Sequence, residues 1–414
     1  MIEVEIGEAA SYAAAGVDIH AGDEISRMWY EAVEATFGNR VGILGQMAMK
    51  AGNFSGFRGW DMDLIQGQYG LILTGGVDGA GTKPELAKRA RYLQYVANIQ
   101  EGFRDHTGVA QDVMAMCLDD LARDGVEPFG MFMLYDTSSL KPDEAKNVTK
   151  QLTNGVIYSS EFAKVVFLNG ESAELGEAVG GYGDFNYNLG GFAIGMAHKD
   201  RIITGEEVKT GDSIMAIRTK DEEGRGFRSN GFSLVRKVLH EKYGMEWHHG
   251  VADEHPQLLN DALRPSHIFT PILVDMNGGY DVNRKQRVEL SGVVHVTGGG
   301  IPGKLQRLLA RTGKGAVIDN PFEPIDSMKL IQEMSMSYDD LATPDPSAYQ
   351  SLNMGNEMLV ILHPGQEDLA QKVAEEHDKE IEKIGEVVDL PGIELKSKGT
   401  TNEGEWIRFN PKAA

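Results

Sequence analysis

The stretch LILTGGVDGAGTKPELAKRA, residues 71–90, decides how this chain is read. An apolar run over 69–74 has the pattern of a strand, the glycines Gly75, Gly76, Gly79 and Gly81 follow, and a helical pattern leaves them. Thr82 and Glu85 form a capping box, and Pro84 sits in the first helical turn, where its missing N–H costs little. Leu86, Ala90 and Leu93, with Val96 or Ala97, then share one helical face. A strand, a glycine turn and a helix N-terminus make a phosphate cradle, to which Lys83 would add charge. Asp78 lies inside that cradle and would repel a bare triphosphate. A magnesium ion removes the conflict by bridging carboxylate and phosphate oxygens, which makes Asp78 a candidate ligand of a metal–nucleotide complex. The spacing fits equally well a glycine-rich turn whose aspartate only caps a helix.

Further carboxylates follow in GVAQDVMAMCLDDLARDG, residues 108–125. The pattern predicts a helix over 109–124 that stops at Gly125; Asp112 and Asp119, seven apart, share a face, and Asp120 lies somewhat off it. Residues 127–134 read as a strand, 141–160 as a helix interrupted by Gly155, and 165–168 as a short strand running into Glu171 and Glu174. Carboxylates gathered near strand ends and helix faces can hold metal ions around a triphosphate. A solvated acidic face explains any one of them taken alone.

Composition changes at GEAVGGYGDFNYNLGG, residues 176–191, and a domain boundary is expected at its start. Strands are predicted over 192–197, 213–217, 316–318 and 358–362, and helices over 232–242, with Gly244 as its C-cap, and over 366–381. Two segments repeat the glycine-before-helix design. RSNGFSLVRKVL, 228–239, carries Ser229, Asn230 and Gly231; HVTGGGIPGK, 295–304, carries Thr297, Gly298, Gly299 and Gly300. Helix capping alone explains the first, while two anion-binding helix starts would fit a phosphorylated substrate facing the nucleotide. The elements imply an α+β fold with domains at 1–175 and 176–396 and a loose polar tail at 397–414.

With 62 acidic against 40 basic residues, the formal charge of -22 argues against non-specific nucleic-acid binding and against anionic membranes. No apolar run approaches the roughly 20 residues that span a bilayer. Cys117 is the only cysteine, so no internal disulfide can form, and the opening MIEVEIGEAASY is acidic where a secretion signal is basic. A cytoplasmic location is expected. Among 11 histidines there is no HExxH pattern, and His295 draws notice only because it adjoins TGGG.

Taken in order, SYAAAGVDIHAG, GGVDGAGTK, DVMAMCLDDLARDGVEPFGMFMLYD, LNGESAE, RSNGFSLVRKVL and HVTGGGIPG resemble the phosphoribosylformylglycinamidine cyclo-ligase (aminoimidazole ribonucleotide synthetase) family over residues 11–390. The resemblance implies an N-terminal domain whose sheet joins a partner's in a dimeric barrel, a C-terminal α+β sandwich, and ATP with Mg²⁺ in the cleft between domains. It implies Asp78, Lys83, Glu171 and His295 as catalytic; Asp18, Gly79, Gly81, Thr82, Lys83, Asp112 and Asp120 at the nucleotide; and Asp78, Asp112, Asp119, Asp120 and Glu171 at metal. Arg228, Ser229, Asn230, Gly231 and Thr297 to Gly300 would meet the phosphorylated substrate. The implied reaction is ATP-dependent closure of the imidazole ring in purine synthesis; a related kinase or dehydratase, or a non-catalytic nucleotide-binding relative, is the alternative. The chain departs from the family pattern at Ala13 (lysine expected), Asp119 (asparagine), Asn169 and Ser172 (GGET expected) and Arg228 (histidine).

Overall fold

The structure is a computed structural model and describes residues 1–5, 60–61, 69–97, 106–138, 143–221, 225–228 and 231–411. Ala13, Asp18, Ser229 and Asn230 lie outside the described residues. The strands in chain order are β1 Ile2–Glu5, β2 Trp60–Asp61, β3 Leu71–Gly79, β4 Glu127–Thr137, β5 Val166–Glu174, β6 Tyr187–His198, β7 Ser213–Thr219, β8 Leu290–His295, β9 Gly315–Ile318, β10 Met358–Leu362, β11 Lys379–Val388, β12 Gly392–Lys396 and β13 Trp406–Asn410. The helices are α1 Lys83–Ala97, α2 His106–Ala122, α3 Asp143–Ala163, α4 Phe232–Tyr243, α5 Trp247–Glu254, α6 Pro256–Leu263, α7 Thr270–Asn277, α8 Gly300–Leu309, α9 Asp326–Ser335, α10 Asp345–Ser351 and α11 Glu367–Glu376.

The first sheet has the order β2-β3-β6-β4-β5, antiparallel except for the parallel β4–β5 pair. Its strands are half-buried, so side chains alternate between a covered and an open face. Helix α2 lies over the covered face, beside α3. Two expectations change here. The glycines of GGVDG do not form a turn: β3 runs straight through them, pairing Gly75 with Ile194, Asp78 with Gly191 and Gly79 with Gly190. Only Gly81 takes a positive φ, +59°. The small residues serve close approach: a Cβ on Gly191, the partner of Asp78, would fall within 2.6 Å of Met131 and Val113. Likewise α3 passes unbroken through Gly155, because a Cβ there would sit 2.2 Å from the Thr107 carbonyl of α2.

The second sheet has the order β1-β13-β12-β9-β11-β7-β10-β8. Strands β7 and β10 are wholly or almost wholly buried, as expected for a sheet covered on both faces. One face packs with α7 and α11 through Phe269, Leu273, Met276 and Val373; the other joins the main core through Ile214, Ala216 and Ile361. Both domains therefore mix helices with sheets, the α+β class that was expected.

Three boundaries move. Strand β6 completes the first sheet, so the expected break at 176 falls inside that domain, which runs to about His198. The end of the chain is not a loose tail, since Trp406–Asn410 pairs with both β12 and β1 and buries Ile407 and Phe409 completely. The helix expected over 366–381 stops at Glu376, and after a turn with Asp378 at φ +53° the chain becomes β11.

Candidate functional site

Asp78 belongs to the covered face of β3, with Ile72 and Thr74, but stands beyond them where its side chain reaches solvent. Its Oδ1 accepts from the Gly79 N–H at 2.7 Å. Protein packed around it pushes its pKa up, and the nearby Asp120 charge adds to that push; the Gly79 N–H, His295 and Lys304 oppose it. Asp120 comes from the last turn of α2. Its Oδ1 meets His295 Nδ1 at 2.9 Å and the Arg123 guanidinium at 2.9 Å. Burial alone would raise the Asp120 carboxyl, yet Arg123 and the His295 bond hold it well below the usual carboxylate range. His295 ends β8, and Lys304 lies on α8 just beyond the TGGG turn. Burial, with Arg123 and Arg307 adding like charge, brings Lys304 down to about 8. Two carboxylates, an imidazole and two cations thus converge from β3, α2, β8 and α8, where the two sheets' domains meet.

Several other candidates are engaged elsewhere. Lys83 and Asp112 form an ion pair at 2.7 Å in which each side chain is 1% exposed. The Lys83 ammonium also donates to the Arg264 carbonyl at 2.7 Å, and Asp112 accepts from the Ser266 N–H at 2.7 Å. Burial lowers the Lys83 pKa, against the Asp112 charge. Lys83 therefore does not reach out to phosphates, and Asp112 is not open to a metal; the pair ties the first domain to segment 264–266. Asp119 is fully buried and accepts from Phe269 N–H (3.0 Å), Thr270 N–H (2.7 Å) and the Thr270 hydroxyl (2.8 Å). It caps the start of α7 from a different helix, which is a structural duty rather than the expected metal contact. Burial pushes its pKa up to about 6, against those three donors and His295.

Arg228 is likewise turned inward. It has φ +65°, donates to Glu357 at 2.6 Å and to the Pro265 carbonyl at 3.0 Å, and is about 5% exposed. An arginine in left-handed backbone is uncommon and strained. It offers no guanidinium to a substrate phosphate as the sequence reading expected. Glu171 departs for another reason. Register pairs it with Leu134, and Leu134 with Gly190 and Gly79, so it lies on the open face of the sheet, opposite to Asp78 and three strands away. At about 4.8 Å per strand that is roughly 14 Å, beyond the reach of a shared metal ion.

Both glycine segments run into helices, and at the first the N-cap is Gly231 itself, with no side-chain cap. Gly231, φ +80°, precedes the 12-residue α4, and a Cβ on it would meet Leu352 at 2.4 Å. Gly299, φ +94°, precedes α8; Gly298 is open to solvent, and a Cβ on Gly300 would fall 1.8 Å from the Tyr349 carbonyl. Sequence reasoning missed Arg123 and Lys304. The i,i+3 spacing of Asp120 and Arg123 and a lysine one turn into the helix after TGGG were the available signals. Elsewhere Glu246, His248 and His249 place three potential ligand atoms within 4.8 Å, but the Arg89 guanidinium lies 3.2 Å from His248 Nδ1 and sets a cation against that group.

Comparison with known proteins bears on this geometry. A family model described as AIR synthase related protein, C-terminal domain, matches residues 275–398. The chain is similar to the phosphoribosylformylglycinamidine cyclo-ligase of Bacillus pumilus (strain SAFR-032), 31% identical over 399 residues that cover 95% of this chain and 98% of that protein. It is similar to the enzyme of the same name from Rippkaea orientalis (strain PCC 8801 / RF-1), 29% identical over 388 residues, covering 92% and 97%. Among solved structures, hydrogenase maturation protein HypE in complex with ATP aligns with a TM-score of 0.53 at 14% identity, covering 83% of this chain and 85% of that one. At such identity the likeness is one of fold.

Proposed function

We infer the function from a membership: the chain belongs to the phosphoribosylformylglycinamidine cyclo-ligase family, and it closes the imidazole ring of aminoimidazole ribonucleotide from formylglycinamidine ribonucleotide with ATP. The formamide oxygen attacks the γ-phosphorus of ATP, and ADP leaves. The amidine nitrogen then attacks the formyl carbon, the phosphate departs with its oxygen, and a proton is lost from nitrogen. Phosphorylation is needed because a formamide oxygen is a poor leaving group, and holding nitrogen and carbon within one molecule supplies the proximity.

The observation that carries this reading within the structure is Asp120 bonded to His295 at 2.9 Å with the Asp78 carboxylate near enough to interact with it. Magnesium fits this donor set. Asp78 is raised in part by the Asp120 charge, as expected of two carboxylates gathered without a cation between them, and Asp120 spends only Oδ1 on His295 and Arg123. Asp78 and Asp120 would hold the ion, which when bound supplies charge neutralisation to the phosphoryl oxygens. Asp120 also orients His295 through Nδ1, leaving Nε2 as the atom that takes the proton from the attacking nitrogen. At the α8 start the Thr297 and Gly300 N–H groups are spent on the His295 and Thr297 carbonyls, so Gly298 and Gly299, with the first turn of α4 after Gly231, would supply N–H groups toward phosphate. A protein of similar fold, hydrogenase maturation protein HypE, was solved in complex with ATP, in keeping with a nucleotide ligand for this chain.

A homodimer is part of the proposal. Val77, Phe192, Leu134 and Phe129 stand on the open face of the first sheet, with Val77 78% and Phe192 41% exposed. A contiguous apolar sheet face of this kind calls for a cover. No helix among the described residues is long and apolar enough to cross a membrane. The test is an assay of ADP and aminoimidazole ribonucleotide together. Both are expected to form in equal amounts, and Asp78→Asn is expected to weaken Mg·ATP binding about tenfold while the protein still folds, since one charge-assisted contact is lost. ADP release without the ring-closed product, or unchanged Mg·ATP affinity in the variant, would reject the reading.

A further inference from the structure

The ion pair of Arg228 and Glu357 carries three unfavourable features at once. Both side chains are almost sealed from solvent. Arg228 Nη2 donates to Glu357 Oε1 at 2.6 Å, while Arg228 Nε and Glu357 Oε2 find no partner among the described residues. The contact is therefore single rather than the two-bond fork common between arginine and carboxylate. The backbone at Arg228 is left-handed, φ +65°, which is disfavoured for a residue with a Cβ. A buried pair with unmet atoms adds little stability over well-packed apolar side chains. Desolvation, orphaned atoms and a strained backbone in one place call for a reason other than stability.

The connections of the pair supply one. Arg228 stands three residues before Gly231, the N-cap of α4. Its Nη1 donates to the Pro265 carbonyl at 3.0 Å, between the Arg264 carbonyl that takes Lys83 and the Ser266 N–H given to Asp112. Glu357 leads into β10; its carbonyl accepts from the Val296 N–H at 3.0 Å, and Met358 pairs with His295. Glu357 thus lies beside the residue that joins His295 to the TGGG turn. Both helix starts also rest on the end of α10: a Cβ on Gly231 would meet the Ser351 carbonyl at 3.0 Å, and one on Gly300 the Tyr349 carbonyl at 1.8 Å. The pair is a cross-tie between the start of α4 and the turn before α8, and the guanidinium neutralises a carboxylate that would otherwise repel phosphate there. Asp78 and Asp120 belong to the first domain, whereas the bonds from Arg228 to Glu357 and Pro265 stay within the second. We propose that Arg228 and Glu357 are positioning residues for the ribonucleotide: their bond sets the α4 start against the TGGG turn so that N–H groups from both meet the substrate's phosphate, a role that rests on the cyclo-ligase reading above.

The test uses three variants of the full chain, each followed by a thermal melt. Arg228→Met leaves the Glu357 carboxylate buried and unpaired and is expected to melt lower than wild type. Arg228→Met/Glu357→Gln removes both charges, so the melt is expected to recover while the cross-tie stays lost. In that double variant the KM for formylglycinamidine ribonucleotide is expected to rise about tenfold, the scale of one charge-assisted bond to phosphate, with the KM for ATP within about twofold of wild type. Glu357→Gln keeps an acceptor for Arg228 and is expected to melt lower yet retain most of the ribonucleotide affinity. A pair with a merely structural role gives the opposite pattern, affinity following the melt in every variant. A wild-type KM for the ribonucleotide in the double variant, or equal rises for both substrates, would overturn the proposal. Should the double variant not fold, Glu357→Gln decides, and affinity lost in step with its melt would count against the pair. Calorimetry with ribose 5-phosphate and with Mg·AMPPNP keeps the two readings apart. A wild type that forms no ring-closed product would sink the cyclo-ligase reading alone. Ribose 5-phosphate bound about tenfold more weakly by the double variant, beside unchanged Mg·AMPPNP, would still uphold the pair. No ribose 5-phosphate binding by wild type, or equal binding by both proteins, would overturn it.

Discussion

Replacing Asp119 separates a structural carboxylate from a metal ligand. In the structure it is fully buried and satisfies two backbone N–H groups and a hydroxyl at the start of α7. Asp119→Ala orphans all three donors. At about 1–3 kcal/mol for each buried unsatisfied group, with some relief from entering water, the loss is about 3–5 kcal/mol. Asp119→Asn keeps one acceptor oxygen for Thr270 and sets an NH₂ against the Phe269 N–H, so about 1–2 kcal/mol is expected. It also removes a charge that burial disfavours, since the Asp119 pKa is pushed up to about 6. The unfolding entropy of a chain this long is on the order of 0.9 kcal/mol per degree, so the alanine variant should melt about 3–5 °C lower if the protein unfolds as one unit, and the asparagine variant within about 2 °C of wild type. Differential scanning calorimetry reads both, and titration with Mg·ATP is expected to give wild-type affinity for Asp119→Asn. A variant that melts like wild type but binds Mg·ATP tenfold more weakly would place a metal on Asp119 and refute this account; an alanine variant with an unshifted melt would refute the hydrogen-bond argument.

The buried Lys83–Asp112 pair should respond in the same spirit: Lys83→Met leaves an uncompensated buried carboxylate and is expected to lose about 3–5 kcal/mol in urea unfolding, with Lys83→Met/Asp112→Asn recovering a large part. An additive double variant would show that the two residues do not act on each other. Phe192→Asp on the open sheet face is expected to convert a dimer to a monomer in light scattering, and an unchanged mass would remove that face as the interface.

Much of this molecule was legible in its residues. The order of motifs points to the family, and the strand–glycine–helix pattern at 71–90 was legible, although the residues suggested a turn at Asp78 where β3 in fact runs on to Gly79. The alternation of element patterns gives the α+β class. The roles within α2 were not legible. Periodicity says that Asp112 and Asp119 share a face, which is correct, but not what covers that face. Segment 264–270, about 150 residues later in the chain, packs there and draws both carboxylates into buried bonds, while Asp120, about 100° further round the helix, is left for the cleft.

The glycines show the same division. A missing Cβ is visible in the sequence, yet it permits either a left-handed turn or the close approach of another surface. Neighbours distant in sequence decide between them: at Gly75 the strand β6 sets a close approach, and of the motif's glycines only Gly81 became a turn. The sequence by itself therefore determined which residue types were available for binding a phosphorylated ligand and how they are spaced along each element. Tertiary structure alone decided which of them are exposed, because burial and ion pairing depend on surfaces that meet only when the two sheets' domains close on one another.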